Sequence, residues 1–194
     1  PKIFLSDEEK KLQLLPNKNN KKTIVLGVLG STPQKSMPYE YVAAIADFIS
    51  EEFDVNILFN YAPNQKSEAL KIYEMCKLKE NIIIDFNAPT IRDFIKVMSE
   101  ATLLVSNEGG SVHIAKALNK PTYTIFSPYV NKDFWASFED GKFHQSIHLL
   151  EKQPNLYAEF SHEERKEIEK NPHELYKKLT PKMIIPELRV FLKN

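Results

Sequence analysis

The sequence predicts one α/β domain, in which helices cover both faces of a parallel β-sheet. Short apolar segments rich in β-branched residues alternate along the chain with segments whose apolar residues recur at the spacing of a helix. Strands that are joined through helices form a parallel sheet with right-handed crossovers. The chain has 194 residues, of which 42% are hydrophobic, and this is enough to fill the core of one domain.

Apolar runs at five places are predicted to be the strands of this sheet. The first run, TIVLGVL, follows a polar loop rich in lysine and asparagine. The runs cover residues 23–29, 55–60, 81–85, 102–106 and 121–126. A further segment, HQSIHLLE, alternates polar and apolar residues like a strand.

Amphipathic helices are predicted between the strands. The first has apolar residues at positions 42, 45, 46, 49 and 53, which share one face of a helix, and Pro38 lies near its start. Others are predicted at about 65–78, 91–98 and 111–118. These elements predict a Rossmann-like domain over residues 1–194, with 1–22 as a lead-in segment and 155–194 as C-terminal helices.

Composition and charge exclude several classes of function. The 26 basic and 26 acidic side chains cancel, so no global field attracts nucleic acid or an anionic membrane. No apolar run approaches the roughly 20 residues of a membrane span, and the first residues lack the apolar region of a signal peptide. The single cysteine, Cys76, lies on an apolar helical stripe, which predicts a buried thiol in a reducing compartment. We therefore expect a cytoplasmic protein with at most peripheral membrane contact, at the inner face of the inner membrane if its substrate is lipid-linked.

Familiar cofactor and metal motifs do not occur in the sequence. The segment GVLG lacks the third glycine of a dinucleotide-binding fingerprint, and there is no Gly-Lys-Ser/Thr of a P-loop. His144 and His148 are four residues apart, but their segment has the pattern of a strand, and His162 and His173 lie among charges on solvated helices. No metal site and no cofactor are predicted.

The most informative segment is NEGGSVH, between an apolar strand and an apolar helix. Gly109 and Gly110 permit positive φ and let a ligand approach the first amides of the helix, whose unpaired N–H groups attract phosphate. His113, and Lys35 from the loop after the first strand, would add donors to the same anion. Alternatively the glycines only form a tight turn, Ser111 caps the helix and His113 is an ordinary surface or core side chain.

The segment NEGGSVHIAKALNKPTYTIFSP resembles the signature of glycosyltransferase family 9, the ADP-heptose:lipopolysaccharide heptosyltransferases and their relatives. Glu108, Gly110 and His113 fall on the acid, the glycine and the histidine of that signature. Glu108 replaces the commoner aspartate, and Gly109 replaces a serine or threonine whose hydroxyl would bind phosphate. The upstream segment GSTPQKSMPYEYVAAIA is similar to the family's hydroxyl-rich loop, and the resemblance covers residues 23–150.

The resemblance implies inverting, metal-independent transfer of a sugar, heptose above all, from an ADP-sugar to lipopolysaccharide or a related glycan. Ser31 and Lys35 fall on phosphate-contacting positions of the family, and Glu108 on an acid that accepts hydrogen bonds from sugar hydroxyls. Lys35, His113 and Glu108 are therefore the expected catalytic residues. Donors held at the distal phosphate stabilise the charge that develops there in the transition state.

The donor is expected to lie across the loops that follow the strands. Asn64 or Gln65 is predicted to meet the ribose hydroxyls, and Pro89, Thr90 and Ile91 to form an apolar shelf for adenine. The expected donor-binding residues are Gly30, Ser31, Lys35, Asn64, Gln65, Pro89, Thr90, Ile91, Glu108, Gly109, Gly110, Ser111 and His113.

The resemblance also implies that this chain is one half of an enzyme. Family members have two Rossmann-like domains facing each other across a cleft, and the first binds the acceptor and supplies a carboxylate base. This chain has only the elements of the second, so we expect a donor-binding half that is incomplete for catalysis. The apolar residues of the tail either reach toward the first domain or pack on the chain's own sheet; they include Leu175, Leu179, Ile184, Leu188 and Leu192.

Two other functions stay open on the residues alone. A non-catalytic module would use the same pocket to sense a nucleotide or nucleotide sugar, and would bind nucleotide alone and change its oligomeric state. An epimerase of the related two-domain kind would need further carboxylates opposite the sugar.

Overall fold

The computed structural model describes residues 2–16, 18–86, 88–158, 160–170 and 172–194. In these ranges the chain forms a six-stranded parallel sheet with helices on both faces, as predicted. The strands are β1 (Lys22–Gly27), β2 (Val55–Asn60), β3 (Ile82–Ile83), β4 (Leu103–Asn107), β5 (Thr122–Ile125) and β6 (His144–Ile147). The helices are α1 (Asp7–Lys11), α2 (Tyr39–Glu52), α3 (Lys66–Met75), α4 (Ile91–Glu100), α5 (Gly110–Ala117), α6 (Lys132–Trp135), α7 (Leu149–Lys152), α8 (His162–Lys170), α9 (Pro172–Lys178) and α10 (Pro181–Lys193). Of the helices described, none is both long enough and apolar enough to span a bilayer.

The order of the strands reverses at the centre of the sheet. The order is β3-β2-β1-β4-β5-β6, so the chain adds β2 and β3 on one side of β1 and then returns through α4 to place β4 on the other side. In open α/β sheets, ligands bind at such a reversal, outside the carboxyl ends of the strands. The loops that follow β1 and β4 start side by side at this point.

The predicted elements are present, with differences at their ends. The strand predicted at 81–85 is reduced to the two residues of β3, which lies at the edge of the sheet and pairs only with β2. The strand-like segment HQSIHLLE divides into β6 and α7, because the His148 side chain accepts a hydrogen bond from the Leu150 N–H and caps α7. Patterns of apolar residues located the elements, whereas hydrogen bonds of single side chains determine where they end.

Two apolar layers enclose the sheet. On one face, α2, α3 and α10 pack against Leu26 and Phe59 among others, and on the other face α4 and α5 pack against Val25, Leu58 and Leu104. Successive residues of a strand point to opposite faces, so the continuous apolar runs supply both layers. Cys76 is buried in the first layer, as predicted, and burial raises the pKa of its thiol to about 12.

The C-terminal tail packs on the chain's own sheet. Tyr176, Leu179, Ile184 and Leu188 are completely buried in the layer that contains α2. Of the two arrangements predicted for the tail, the structure therefore has the one in which its apolar residues complete the core of this domain. The arrangement in which they reach toward another domain is wrong for these residues.

The lead-in segment also packs on the domain. The Ile3 N–H donates to the Ala117 carbonyl at 3.0 Å, and the Leu15 N–H donates to the Glu100 carboxylate at 2.7 Å. Arg92 of α4 pairs with Glu9 and lowers the pKa of that carboxyl to about 2. These contacts attach the segment to the helices on the second face of the sheet.

We predict that Gly27→Ala destabilises the fold. Gly27 lies opposite Ser106 of β4, and a Cβ at Gly27 would stand 2.1 Å from Ser106 Oγ and 2.8 Å from Ser106 Cβ. Because one of two paired central strands must shift, we expect a loss of about 1–3 kcal/mol in the free energy of unfolding, measured by urea titration. Adding Ser106→Gly removes the clashing atoms and should recover part of that loss; an unchanged deficit in the double variant would contradict the explanation.

Candidate functional site

The turn between β4 and α5 has the open backbone that its glycines predict. Gly109 has a φ of 155°, which residues with a side chain rarely adopt. A Cβ on Gly109 or Gly110 would meet no described atom within 4 Å, so the space in front of the turn is open. Gly109 occupies the N-cap position of α5, and no side chain caps the helix there. The N-terminus of α5 therefore presents its partial positive charge to open space.

Ser111 does not cap α5. Its Oγ lies 3.5 Å from Ser106 Oγ, and the helix begins one residue earlier than predicted, at Gly110. The alternative in which Ser111 closes the helix N-terminus is therefore not the observed arrangement. The first amides of α5 lie beside a serine hydroxyl and the two glycines.

The loop after β1 is tightly folded, and it determines where Lys35 lies. The Gly30 N–H donates to Ser36 Oγ at 2.9 Å, and the Gly30 carbonyl accepts from Gln65 Nε2 at 2.8 Å. A Cβ on Gly30 would stand 2.4 Å from the Lys35 carbonyl oxygen, so the loop closes only around a glycine. Gly30 thus shapes the loop, and its own backbone groups already have partners.

Lys35 and Glu108 lie within electrostatic reach of each other at the reversal of the sheet. Burial raises the pKa of Glu108, while the hydrogen bond from Ser127 and the charge of Lys35 lower it in part. The Glu108 side chain is buried: Oε2 accepts from the Ser127 N–H at 2.9 Å, and Oε1 has no hydrogen-bond partner among the described residues. A carboxylate oxygen without a partner among the described residues is thus buried beside the glycine turn.

A buried polar network supports this turn from the core side. The Tyr176 hydroxyl donates to Asn107 Oδ1 at 3.1 Å and lies 3.3 Å from the Ile125 carbonyl oxygen. Burial raises the pKa of Tyr176 well above its usual value, so the hydroxyl stays a donor at neutral pH. Asn107 Nδ2 and Ser127 Oγ are buried with no partner in the described ranges. The residue before Glu108 is therefore held by α9, from the C-terminal tail.

His113 lies on a different surface of α5. Its side chain is exposed and lines a cavity of about 450 Å³ together with Phe4, Lys116 and Phe138. Lys35 lies close enough to Glu108 for its charge to lower the pKa of that carboxyl, whereas His113 lines the neighbouring cavity. The convergence of Lys35, His113 and the helix N-terminus on one anion stays a prediction.

A larger cavity, of about 670 Å³, lies between the loop after β1, the start of α3 and α9. Ser31, Asn64 and Gln65 line it, together with Tyr39 and Lys177. Gln65 uses its amide within the protein, because Oε1 accepts from the Ala62 N–H at 3.0 Å and Nε2 donates to Gly30. Asn64 and Ser31 are the predicted ribose- and phosphate-contacting residues that face open volume.

The predicted adenine shelf lies apart from this cavity. Thr90 caps α4: its Oγ1 accepts from the Asp93 N–H at 3.1 Å and donates to Asp93 Oδ2 at 2.6 Å. Pro89 is exposed, Ile91 is 74% exposed, and the three shelf residues do not line the cavity of Ser31 and Asn64. The Thr90 side chain, which was expected to form part of the apolar shelf, therefore has a local role as a helix cap.

The two histidines of HQSIHLLE have structural roles. His144 Nδ1 lies 3.0 Å from Thr122 Oγ1, and His148 Nε2 lies 3.1 Å from the Val130 carbonyl oxygen. Burial lowers the pKa of both rings. In the part of the chain that the structure describes, no three His, Cys, Asp or Glu side chains are grouped as a metal site requires.

Sequence reasoning missed two residues at the site, Tyr176 and Trp135. The Lys35 ammonium lies 5.8 Å from the centroid of the Trp135 ring, which is 48% exposed at the end of α6. The segment SPYVNKDFW follows β5, where ligand-binding loops occur, and its exposed aromatic residues were the available signal for Trp135. Nothing in the local sequence of α9 indicates that Tyr176 bonds to the end of β4.

Residues 1–162 match the family model described as glycosyltransferase family 9 (heptosyltransferase). A curated relative, lipopolysaccharide heptosyltransferase 1 of Campylobacter coli, is 29% identical over 130 residues, which are 64% of this chain and 38% of that protein. The matched region thus covers well under half the length of that relative.

Solved structures with a similar fold include a family 9 glycosyl transferase from Veillonella parvula, with a TM-score of 0.70 and 15% identity over 98% of this chain and 53% of that one. E. coli ADP-heptose lps heptosyltransferase II has a TM-score of 0.69 and 16% identity over 99% of this chain and 53% of its own. E. coli heptosyltransferase WaaC with ADP has a TM-score of 0.57 and 16% identity, over 69% of this chain and 39% of its own. At these identities the likeness establishes the fold.

We predict that Glu108→Gln increases the stability of the chain at neutral pH. Because the folded-state pKa of Glu108 lies above its ordinary value of 4.5, ionisation of Glu108 opposes folding as the pH rises above that value. Glutamine keeps an acceptor for the Ser127 N–H and carries no charge, so we expect a gain on the order of 1 kcal/mol at about pH 7, measured by urea titration. The gain should disappear below pH 4.5, where the wild-type carboxyl is also protonated. A variant that is less stable at neutral pH, or a gain that does not depend on pH, would contradict this account of Glu108.

Proposed function

The chain belongs to glycosyltransferase family 9, and from this premise we propose that it binds the diphosphate of a nucleotide sugar at the Gly109–Gly110 turn. The observation that carries the proposal is the open, uncapped N-terminus of α5 at the reversal of the sheet, beside the loop that carries Lys35. The uncapped N-terminus of α5 faces open space there, and the Lys35 ammonium lies within electrostatic reach of the adjoining Glu108. Helix N-termini with open glycine turns are favourable sites for phosphate, and a lysine beside one adds a charge-assisted hydrogen bond.

We propose ADP-heptose, or a closely related ADP-sugar, as the donor. This follows from the family and from the solved structures of similar fold, two of which carry ADP or ADP-heptose in their names. In this arrangement the nucleoside extends from the glycine turn toward the cavity beside Asn64, since that cavity is lined in part by the loop that carries Lys35. Asn64 and Ser31 then offer an amide and a hydroxyl to the ribose.

The proposed reaction is inverting glycosyl transfer. An acceptor hydroxyl forms a bond to the anomeric carbon as the bond from that carbon to the phosphate oxygen breaks, and the electron pair stays on the distal phosphate. Lys35 and the first amides of α5 stabilise that charge, so this step does not call on a metal ion. The unpartnered Glu108 Oε1 is a hydrogen-bond acceptor for a sugar hydroxyl, which would remove the penalty of burying it alone.

We propose that the acceptor is lipopolysaccharide or its precursor and that a second domain binds it. The curated relative is a lipopolysaccharide heptosyltransferase, and the chain spans about half the length of the solved structures with TM-scores near 0.7. A general base has to lie within about 3 Å of the acceptor hydroxyl, or one water away. Glu108 is buried against Ser127 and is better placed to hold the donor sugar than to serve as this base.

The first test of this function is nucleotide binding. We expect the 194-residue chain to bind ADP more tightly than UDP in calorimetric titrations. Lys35→Ala should weaken ADP binding by about ten-fold or more, the size of a hydrogen bond to a charged group, and leave adenosine binding unchanged. Lys66→Ala removes the lysine at the start of α3 and should leave ADP binding unchanged, because Lys66 is exposed and pairs with Asp85. Equal losses for ADP and adenosine, or equal losses for the two lysine variants, would contradict the proposed site.

Gly110→Ala provides a second test that separates binding from folding. The added Cβ enters the open space in front of the turn and meets no protein atom, and alanine is a better helix former than glycine by about 1 kcal/mol. We therefore expect an unchanged or slightly higher melting temperature together with weaker ADP binding. If the variant binds ADP as the wild type does, the phosphates do not approach this turn.

A further inference from the structure

The contact between the Lys35 ammonium and the Trp135 ring lies at a place that suggests a role. The Lys35 ammonium lies 5.8 Å from the centre of the Trp135 ring, within the range of cation–π attraction. Among the described residues, no carboxylate forms an ion pair with Lys35, and the Trp135 ring is the aromatic group beside its ammonium. The lysine that the proposed function assigns to the diphosphate is thus already oriented by a neighbour.

This contact joins the loops on the two sides of the glycine turn. In the sheet, β4 lies between β1 and β5, so the loops that follow β1 and β5 start about 10 Å apart, with the end of β4 between them. Lys35 belongs to the first loop and Trp135 to the second, while Gly109 and Gly110 lead out of β4 between them. The Lys35–Trp135 pair therefore spans the end of β4 from one side to the other.

The segment that carries Trp135 is anchored to α5, the helix whose N-terminus is the proposed phosphate site. Lys116 of α5 donates from Nζ to the Ser137 carbonyl oxygen at 2.9 Å and lies 3.5 Å from Glu139 Oε1. Only 4% of the Lys116 side chain and 12% of the Glu139 side chain are exposed. Because these contacts are buried, they hold in place the chain segment that carries Trp135, although about half of the Trp135 side chain is exposed.

We propose that Trp135 is a positioning residue for the diphosphate site, holding the Lys35 ammonium beside the glycine turn before the ligand binds. The inference rests on the proposed function of that turn. A lysine that is ordered in advance has less side-chain entropy to lose when it meets phosphate. An aromatic face attracts the cation without accepting its hydrogen bonds, so all three ammonium protons remain available to phosphate oxygens, which a carboxylate partner would not allow.

A double-mutant cycle tests the coupling between the two side chains. We expect Trp135→Ala to weaken ADP binding by about two- to five-fold, the size of an exposed cation–π contact, and to cause no further loss when Lys35 is already alanine. Adenosine, which has no phosphate, should bind the wild type and Trp135→Ala with equal affinity. Trp135→Phe should keep most of the wild-type affinity for ADP. Phe134→Ala is the matched control, since Phe134 lies on the same helix and is 79% exposed; it should leave ADP binding unchanged.

The fluorescence of Trp135 reports on the same contact directly, because it is the only tryptophan of the chain. We expect ADP and inorganic pyrophosphate to change its emission in the wild type, and Lys35→Ala to change the emission of the free protein. Trp135→Leu, which keeps the apolar volume without an aromatic face, replaces Trp135→Ala in the cycle if the alanine variant does not fold.

The outcomes separate the two proposals. Suppose that the wild type binds ADP, but Trp135→Ala does not lower the affinity for ADP, or lowers it equally with and without Lys35. In either case Trp135 does not position Lys35, and this inference is wrong. Tighter ADP binding by Trp135→Ala would show that the ring competes with phosphate, and would overturn it as well. If the wild type binds neither ADP nor pyrophosphate, the proposed function of the turn is itself wrong.

Discussion

The parallel pairing of β1 with β4 is the contact on which the candidate site depends, because it brings together two loops that are far apart in the sequence. Gly27 makes this pairing close, since there is no room for a Cβ beside Ser106. The chain reaches β4 only after it has built β2 and β3 on the other side of β1, and this reversal leaves a crevice at the carboxyl ends of the two strands. The loop that carries Lys35 follows β1 at one side of the crevice, and the glycine turn follows β4 at the other.

The site combines a stabilising frame with groups that oppose folding. Two hydrogen bonds hold the end of β4 in place. The Tyr176 hydroxyl donates to Asn107, and the Ser127 N–H donates to Glu108. Yet Glu108 Oε1 and Asn107 Nδ2 are buried without partners in the described ranges, and the N-terminus of α5 has no side-chain cap. Each of these costs free energy in the unliganded protein. Such local costs are typical of positions that a ligand completes, which is a physical reason to place binding at this turn.

The sequence predicted most of the fold and part of the site, for reasons that differ from residue to residue. Periodic apolar patterns predicted the strands and helices, and the two glycines after β4 predicted an open turn because few residues other than glycine adopt a φ of 155°. Gln65 and Thr90 were expected to meet ligand, but their side chains bond to nearby backbone, a local competition that sequence patterns do not reveal. Trp135 and Tyr176 come from distant segments, and only the three-dimensional packing brings them to Lys35 and Asn107.

The most direct test of the central claim, that phosphate binds at the N-terminus of α5, is the response of backbone amide resonances to ADP. The chain has only five glycines, so their amide signals can be followed one by one in ¹H–¹⁵N spectra. The account predicts that the Gly109 and Gly110 amides shift strongly and saturably with ADP and with pyrophosphate, while Gly141, in the turn before β6, does not move. Shifts confined to residues around the Asn64 cavity, with both Gly109 and Gly110 unmoved, would contradict it.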